Sequence, residues 1–362
     1  MVKKRILIAA NSDLSFDQRL LRISRSLEAN GYRPYLLGRL FQNSVALSKE
    51  SFSQNRLRLL FQKGKMAYLE LNIRLFFNLL NQECDAICSV DLDTLPACWL
   101  ATRIRQIPLI HDAHEYMAEV PEVYNRPLTQ KLWHTIARFC LPAVDLAYTV
   151  SQSLVDEFAR IYKKEFHLIR NIAHLETSEE SEEPDGFWVF LGAVNQGRGL
   201  EQFIPLLHHS ERKLVILGDG DKMEEIRQLV KSENLTEQVV FTGKLPSSEV
   251  RKILPKAWAG INLLTDEGLS YQYSLANKFF DYVHAGIPQI CIRFPEYERL
   301  IKENAVGVLT EMTEQEIRKA MDEISLPENQ RLFRKEAIVA RNKWNWQNEE
   351  KYLIRLYDQL FE

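Results

Sequence analysis

The segment best suited to chemistry is Ser274-Leu275-Ala276-Asn277-Lys278-Phe279-Phe280-Asp281-Tyr282, closed by Ala285-Gly286-Ile287-Pro288. A helix starting near Ala276 points free backbone N–H groups and the positive end of its dipole outward, an arrangement that suits a phosphate. Ser274 suits the N-cap, Gly286 the C′ position and Pro288 the residue just beyond. Lys278 falls in the first turn, where a cation opposes the dipole unless an anion is bound. Asp281 lies one turn further on the same face, so a plain surface ion pair accounts for the two residues equally well. A second candidate is the run from Phe190 through Gly192-Ala193-Val194-Asn195-Gln196-Gly197-Arg198-Gly199 to Leu200. Its glycines allow close backbone approach, and Arg198 offers a two-pronged fork for phosphate. The three-glycine dinucleotide spacing and the Gly-Lys-Ser/Thr phosphate loop are both missing.

These residues need elements to position them. Short apolar runs at residues 5–10, 34–37, 86–90, 108–110, 146–150 and 167–169 read as strands in the first half, and those at 187–191, 213–217, 239–242, 260–264 and 289–292 in the second. Most are continuous rather than alternating, as expected of parallel strands covered on both faces. Amphipathic segments such as 16–29 and 223–233 lie between them. The pattern predicts an α/β fold of two Rossmann-like doubly wound domains. The halves meet near Asn171, and the acidic run at 176–185 reads as a linker. The expected domains are 1–170, completed by a C-terminal helix over 346–362, and 171–345. Ligands bind beyond the carboxyl ends of parallel strands. There the sequence places Asp13, then Asp91-Leu92-Asp93-Thr94, His111-Asp112-Ala113-His114-Glu115, Gly218-Asp219-Gly220 and a polar loop ending at Ser274.

Composition narrows the class. With 46 Lys and Arg against 49 Asp and Glu, the formal charge of -3 argues against a nucleic-acid binder. Five scattered cysteines read as reduced thiols. The apolar run after Lys3-Lys4-Arg5 is too short for a signal-peptide core, and no stretch approaches the length of a membrane span. The expected location is the cytoplasm, with peripheral contact at the inner membrane face as an added option. That option rests on residues 56–74, where Arg56, Arg58, Lys63, Lys65 and Arg74 alternate with leucines and phenylalanines. A core-packed helix with a solvated basic edge is the reading favoured for that segment.

The order and spacing of these motifs resemble glycosyltransferase family 4, of GT-B fold, over nearly the whole chain. The resemblance runs from Asp17-Gln18-Arg19 through Asp91-Leu92-Asp93-Thr94-Leu95 and Asp112-Ala113-His114-Glu115. It continues through Gly192 to Gly199, Gly218-Asp219-Gly220, Phe241-Thr242-Gly243-Lys244 and the 274–288 stretch. It implies two Rossmann-like domains facing across a cleft and transfer of a sugar from a UDP or GDP sugar to a glycan or lipid-linked acceptor. It assigns the diphosphate to Arg198, Lys278 and the helix start at Ser274, Leu275, Ala276 and Asn277, and the ribose hydroxyls to Asp281. Gly243, Lys244 and Asp219 would border the base and the neighbouring loop. His114 would face the donor sugar, and Asp13, Asp91, Asp93 and Glu115 would line the acceptor side. The family's first Glu falls at Tyr273, its second at Asp281, an Arg at Ala193 and a Pro at Ala276.

The resemblance further implies retention of anomeric configuration without a cofactor or metal, the protein cations stabilising the departing diphosphate. Two rivals share the fold: a nucleotide-sugar 2-epimerase, and a non-catalytic sugar-nucleotide-binding partner, the latter favoured by Tyr273 and Ala193. Outside the resemblance, His114 also fits a loop histidine capped by Asp112 or Glu115.

Overall fold

The computed structural model describes residues 4–15, 17–176 and 186–362. The expected acidic linker therefore lies outside the described residues except for Glu176, as do Lys3 and Phe16. The chain divides into two compact units, Met1–Asn171 with Glu349–Glu362, and Ile172–Asn348.

In the first unit the strands are β1 (Arg5–Ala9), β2 (Arg33–Leu40), β3 (Ser53–Arg58), β4 (Ala86–Val90), β5 (Leu109–Ala113), β6 (Leu146–Thr149) and β7 (His167–Leu168). The helices are α1 (Gln18–Ala29), α2 (Lys65–Asn81), α3 (Asp91–Arg105), α4 (Pro121–Tyr124), α5 (Pro127–Cys140) and α6 (Gln152–Tyr162). The sheet order is β3-β2-β1-β4-β5-β6-β7, with every pairing parallel. The Ala-Ile-Cys-Ser-Val of β4 is buried at all five positions, which is why its side-chain pattern does not alternate.

The second unit contains β8 (Trp188–Leu191), β9 (Leu214–Leu217), β10 (Val239–Gly243), β11 (Ala259–Asn262), β12 (Gln289–Ile292) and β13 (Gly307–Thr310). Its helices are α7 (Leu200–Phe203), α8 (Met223–Ser232), α9 (Ser247–Ile253), α10 (Leu269–Gln272), α11 (Asn277–His284), α12 (Pro295–Glu303), α13 (Glu314–Ser325) and α14 (Pro327–Lys343). The sheet order is β10-β9-β8-β11-β12-β13, again parallel throughout. Strand order reverses between β1 and β4 in one sheet and between β8 and β11 in the other, and these are the points where doubly wound sheets open a binding crevice.

The final helix, α15 (Trp346–Phe361), contributes to the first unit from Glu349 onward. Tyr357 is fully buried there. Its hydroxyl lies 3.2 Å from that of Tyr148, and its ring meets Tyr32 edge-on at 5.8 Å. Glu349 accepts from both the main-chain N–H and the guanidinium of Arg170, each at 2.8 Å. Among the described residues no helix is long and apolar enough to cross a membrane.

Two strands escape sequence pattern. The edge strand β3, Ser-Gln-Asn-Arg-Leu-Arg, has no fully buried position, so it carries no apolar run. The sheet of the second unit ends on β13, only four residues long.

Candidate active site

In the second unit, α11 begins at Asn277 with Ala276 as its N-cap and no side-chain cap. The expected Ser274 cap is not formed: the Ser274 hydroxyl donates to the Tyr271 carbonyl at 2.7 Å instead. The Ala276 N–H is taken by the Tyr297 hydroxyl at 3.1 Å, and the Phe279 N–H by the Ala276 carbonyl at 3.0 Å. No acceptor among the described residues reaches the N–H groups of Asn277 or Lys278. At the other end Gly286, at φ 71°, forms the expected left-handed stop. Its N–H bonds Val283 and that of Ile287 bonds Tyr282.

Lys278 is only 9 % exposed, which removes the surface ion-pair reading. Its Nζ has no hydrogen-bond partner among the described residues and stands 3.7 Å from the centroid of the Phe190 ring. Burial, and then the charge of Arg198, push the ammonium down to about 7. Arg198, between Gly197 and Gly199, has a buried Nε without a partner and lies 5.8 Å from the Tyr271 ring. Asp281 contributes a smaller stabilising field on Lys278. A buried ammonium and a half-buried guanidinium within each other's field, beside unused amides of a helix start, have the chemistry of an anion site.

The carboxyl ends of β8, β9 and β10 converge beside Lys278. A Cβ at Gly192 would come 3.9 Å from Lys278 Cε, and one at Gly218 would fall 1.9 Å from the Gly192 carbonyl oxygen. Gly218 also bridges Gly243. Asp219 is exposed and turns back on its own loop, accepting from the Gly220 N–H at 2.9 Å. Lys244 is exposed, and Tyr273 is the C-cap that follows α10, partly buried. Tyr282 locks α11 to the sheet by accepting from the Leu191 N–H at 3.0 Å and donating toward the Val189 and Ile261 carbonyls.

In the first unit, β4 and β5 carry a second cluster. Asp91 opens α3 in the left-handed region at φ 56°, a strained choice for a non-glycine residue. Its Oδ1 accepts from the His114 N–H at 2.8 Å. His114 Nε2 donates to Asp112 at 3.0 Å, and its Nδ1 lies 3.8 Å from Asp91. Burial opposes the charged ring, but Asp112 and Asp91 outweigh it and raise His114 to about 9. The ring is thus an imidazolium at neutral pH, with 23 % of its side chain open to a ligand. Asp112 is held well below the usual carboxylate range by Arg19 and His114 in spite of burial. Asp93 is raised to about 7, by burial and then by Asp91, and accepts from Asn11 at 2.7 Å.

Asp13 does not join this group. It pairs with Arg56 of β3 at 2.8 Å. Hydrogen bonds from Ser44, Ser15 and Arg56 lower its carboxyl although burial works the other way. Glu115 is exposed, and it is Asp112 rather than Glu115 that pairs with His114. His111 is a structural neighbour, driven to about 4 by burial and bonded to Ser89 at 2.8 Å.

Arg19 was absent from the expected site. It forks onto Asp112 at 2.8 and 3.1 Å and is 3 % exposed. The signal was its position one and two turns before Ile23 and Leu27, which put a guanidinium on the apolar face of α1.

Two parallel Rossmann-like sheets, with cations and unused amides at a helix start in one unit and a His–Asp cluster at the carboxyl edge of the other, are the arrangement that the family 4 resemblance implies. The family models agree. Residues 18–176 match "Glycosyltransferase Family 4" and residues 173–338 match "Glycosyl transferases group 1". Together these models span most of the chain, which belongs to the family 4 glycosyltransferases. Among curated proteins none matches by sequence. The fold is similar to a sucrose-phosphate synthase from Thermosynechococcus elongatus, with TM-score 0.81, 15 % identity and 99 % of each chain covered. It is also similar to Alr3699/HepE of Anabaena in complex with UDP and glucose (TM-score 0.76, 13 % identity, 98 % of this chain and 99 % of that one). A glycosyltransferase from Rickettsia africae aligns over 100 % of both chains at TM-score 0.75 and 13 % identity.

Proposed function

We propose that this enzyme moves a sugar from a UDP or GDP sugar to a hydroxyl of a glycan or lipid-linked acceptor, with retention of configuration and with protein cations in place of a metal. The observation that carries the reading is Lys278: a buried ammonium without a hydrogen-bond partner among the described residues, at a helix start and beside Arg198. As the C1–O bond breaks, the diphosphate leaves with the electron pair. Lys278, Arg198 and the amides of Asn277 and Lys278 take up that charge, which is larger in the transition state than in the ground state. The acceptor oxygen enters on the same face, and its proton passes to a diphosphate oxygen. Asp281 accepts from the ribose hydroxyls, Gly243 borders the base, and Asp219 and Lys244 stand at its outer edge. His114, charged at neutral pH, donates to a sugar or phosphate oxygen, while Asp91 and Asp93 receive acceptor hydroxyls. The complex of HepE with UDP and glucose supports a nucleotide-sugar donor. A cytoplasmic setting fits five unpaired cysteines.

Incubation with a panel of UDP and GDP sugars tests this reading, with the product anomer read by NMR and chelator added in parallel. Arg198→Ala removes one charged contact, about 1.5–3 kcal/mol, and should slow turnover by one to two orders of magnitude. Inversion of the anomer, abolition by chelator, or unchanged turnover in both Arg198→Ala and Lys278→Ala would refute it. Tyr273, where the family has a carboxylate, favours a second reading as a non-catalytic binding partner; binding without turnover across the panel would select it. An epimerised donor would identify an isomerase.

A further inference from the structure

The helices α2, α3 and α5 form one layer on one face of the first sheet. Tyr68 of α2 meets Trp133 of α5 edge-on at 5.6 Å, and Trp99 of α3 meets Phe139 of α5 at 4.9 Å with the rings tilted by 60°. The inner stripe of α2, Ala67, Leu71, Leu75 and Leu79, is core. Its outer stripe is apolar as well: Met66, Leu69, Ile73 and Phe77 are 51, 53, 49 and 59 % exposed. On α3, Leu100 and Ile104 are exposed, and on α5, Leu128, Leu132 and Phe139 are 83, 51 and 67 % exposed. Just before α2, Leu60 is 80 % exposed. Scattered surface leucines need no explanation, but large apolar side chains recurring over three adjacent helices make a patch.

The charges on these helices are mostly basic. Apart from Asp91 and Asp93 at the start of α3, the three helices hold six Lys and Arg and a single acid, Glu70, in a chain where acids outnumber bases. Glu70 is engaged by Arg74 at 2.7 Å and by the N–H groups of Leu60 and Phe61. Lys65, Arg74, Arg103, Lys131 and Arg138 are exposed. A second copy docked face to face would set these cations against themselves, which disfavours a symmetric dimer. An anionic bilayer complements both parts: acyl chains take the leucines and phenylalanines, while the basic side chains reach the phosphates.

We propose that the α2–α3–α5 face docks this enzyme on membranes carrying anionic headgroups. The face runs up to the candidate acceptor side, since Asn72 of α2 donates to the Asp93 carbonyl at 2.8 Å. Docking would therefore present that end to acceptors carried in the bilayer. The proposal does not depend on the transfer chemistry, and its test needs no substrate.

The test is co-sedimentation at low ionic strength with vesicles of phosphatidylcholine alone or mixed equally with phosphatidylglycerol. The protein should pellet with the mixed vesicles and be released by salt. Lys131→Glu with Arg138→Glu should weaken binding at least tenfold, and Phe77→Ser with Phe139→Ser should do the same at unchanged charge. All four positions are exposed, and melting curves matching the parent verify folding. Equal recovery with neutral and anionic vesicles, or binding indifferent to both double variants, would overturn the proposal. So would light scattering that shows a dimer dissociated by Phe77→Ser with Phe139→Ser.

Discussion

Replacing Lys278 with methionine keeps an unbranched stem of similar reach and removes the ammonium. In the ligand-free protein that ammonium is held at about 7 rather than the ordinary 10.5, by burial first and by Arg198 second. Between these values the unfolded chain keeps a proton that the folded chain has released, so stability rises with pH across that window. At 1.36 kcal/mol per tenfold change in proton affinity, the side chain costs the folded state about 3 kcal/mol at pH 8. The Phe190 ring at 3.7 Å favours only the charged form, so it changes little at pH 8, where the folded side chain is mostly neutral. Lys278→Met should therefore be more stable than the parent by about 3 kcal/mol at pH 8, or roughly 6–12 °C in Tm for a unit of this size. The advantage should grow as pH falls toward 7, level off below it, where both states are charged, and vanish above 10.5, where both are neutral. Calorimetry at pH 6, 8 and 10, with and without UDP or GDP, reads both sides of the exchange. The parent should gain stability from the nucleotide, and the variant should be hotter-melting but indifferent to it. A variant that melts below the parent at pH 6 and 8, or that keeps the nucleotide-induced rise, would refute the reasoning.

Other outcomes follow from the same geometry. His114→Asn should reduce turnover by about two orders of magnitude and weaken UDP binding by less than about tenfold, as calorimetric titration would show. Because the His114 pKa is raised to about 9, its charge contributes stability in full below about 6.5, and that contribution is lost as pH rises through 9. The parent's rate should fall over the same upper range, and the variant's should not. Gly218→Ala puts a methyl 1.9 Å from the Gly192 carbonyl oxygen at a backbone φ of 155°. A loss of about 3 kcal/mol or more is expected, visible as a lower urea midpoint.

How much was legible in the sequence depended on burial. Strands covered on both faces, such as β4 and β12, announce themselves as unbroken apolar runs and start and stop where expected. The edge strand β3 is half solvated and polar, so only its pairing with β2 reveals it. Around the candidate anion site, Gly286 was readable because a left-handed stop needs glycine. The start of α11 was not, because Tyr297, from α12, supplies the hydroxyl that a local serine was expected to offer. Local spacing showed Lys278 and Asp281 as neighbours on a helix, but the depth of Lys278 is set by the Phe190 strand and so lay beyond any local pattern. The family resemblance located His114. Its charge state, however, depends on Asp112, itself held ionised by Arg19 from 93 residues away.

The path of α15 bears on how the protein is made. The second unit is built from one continuous stretch, whereas the first draws its final members from Glu349 onward. A ribosome therefore releases all of Ile172–Asn348 before Tyr357 can fill its place beside Tyr148 and Tyr32. The half begun first is finished last, and until then it must hold an incomplete aromatic core through the translation of its neighbour. A nascent chain of this protein carries that gap through the synthesis of a whole second unit, which a simple tandem of two domains would not.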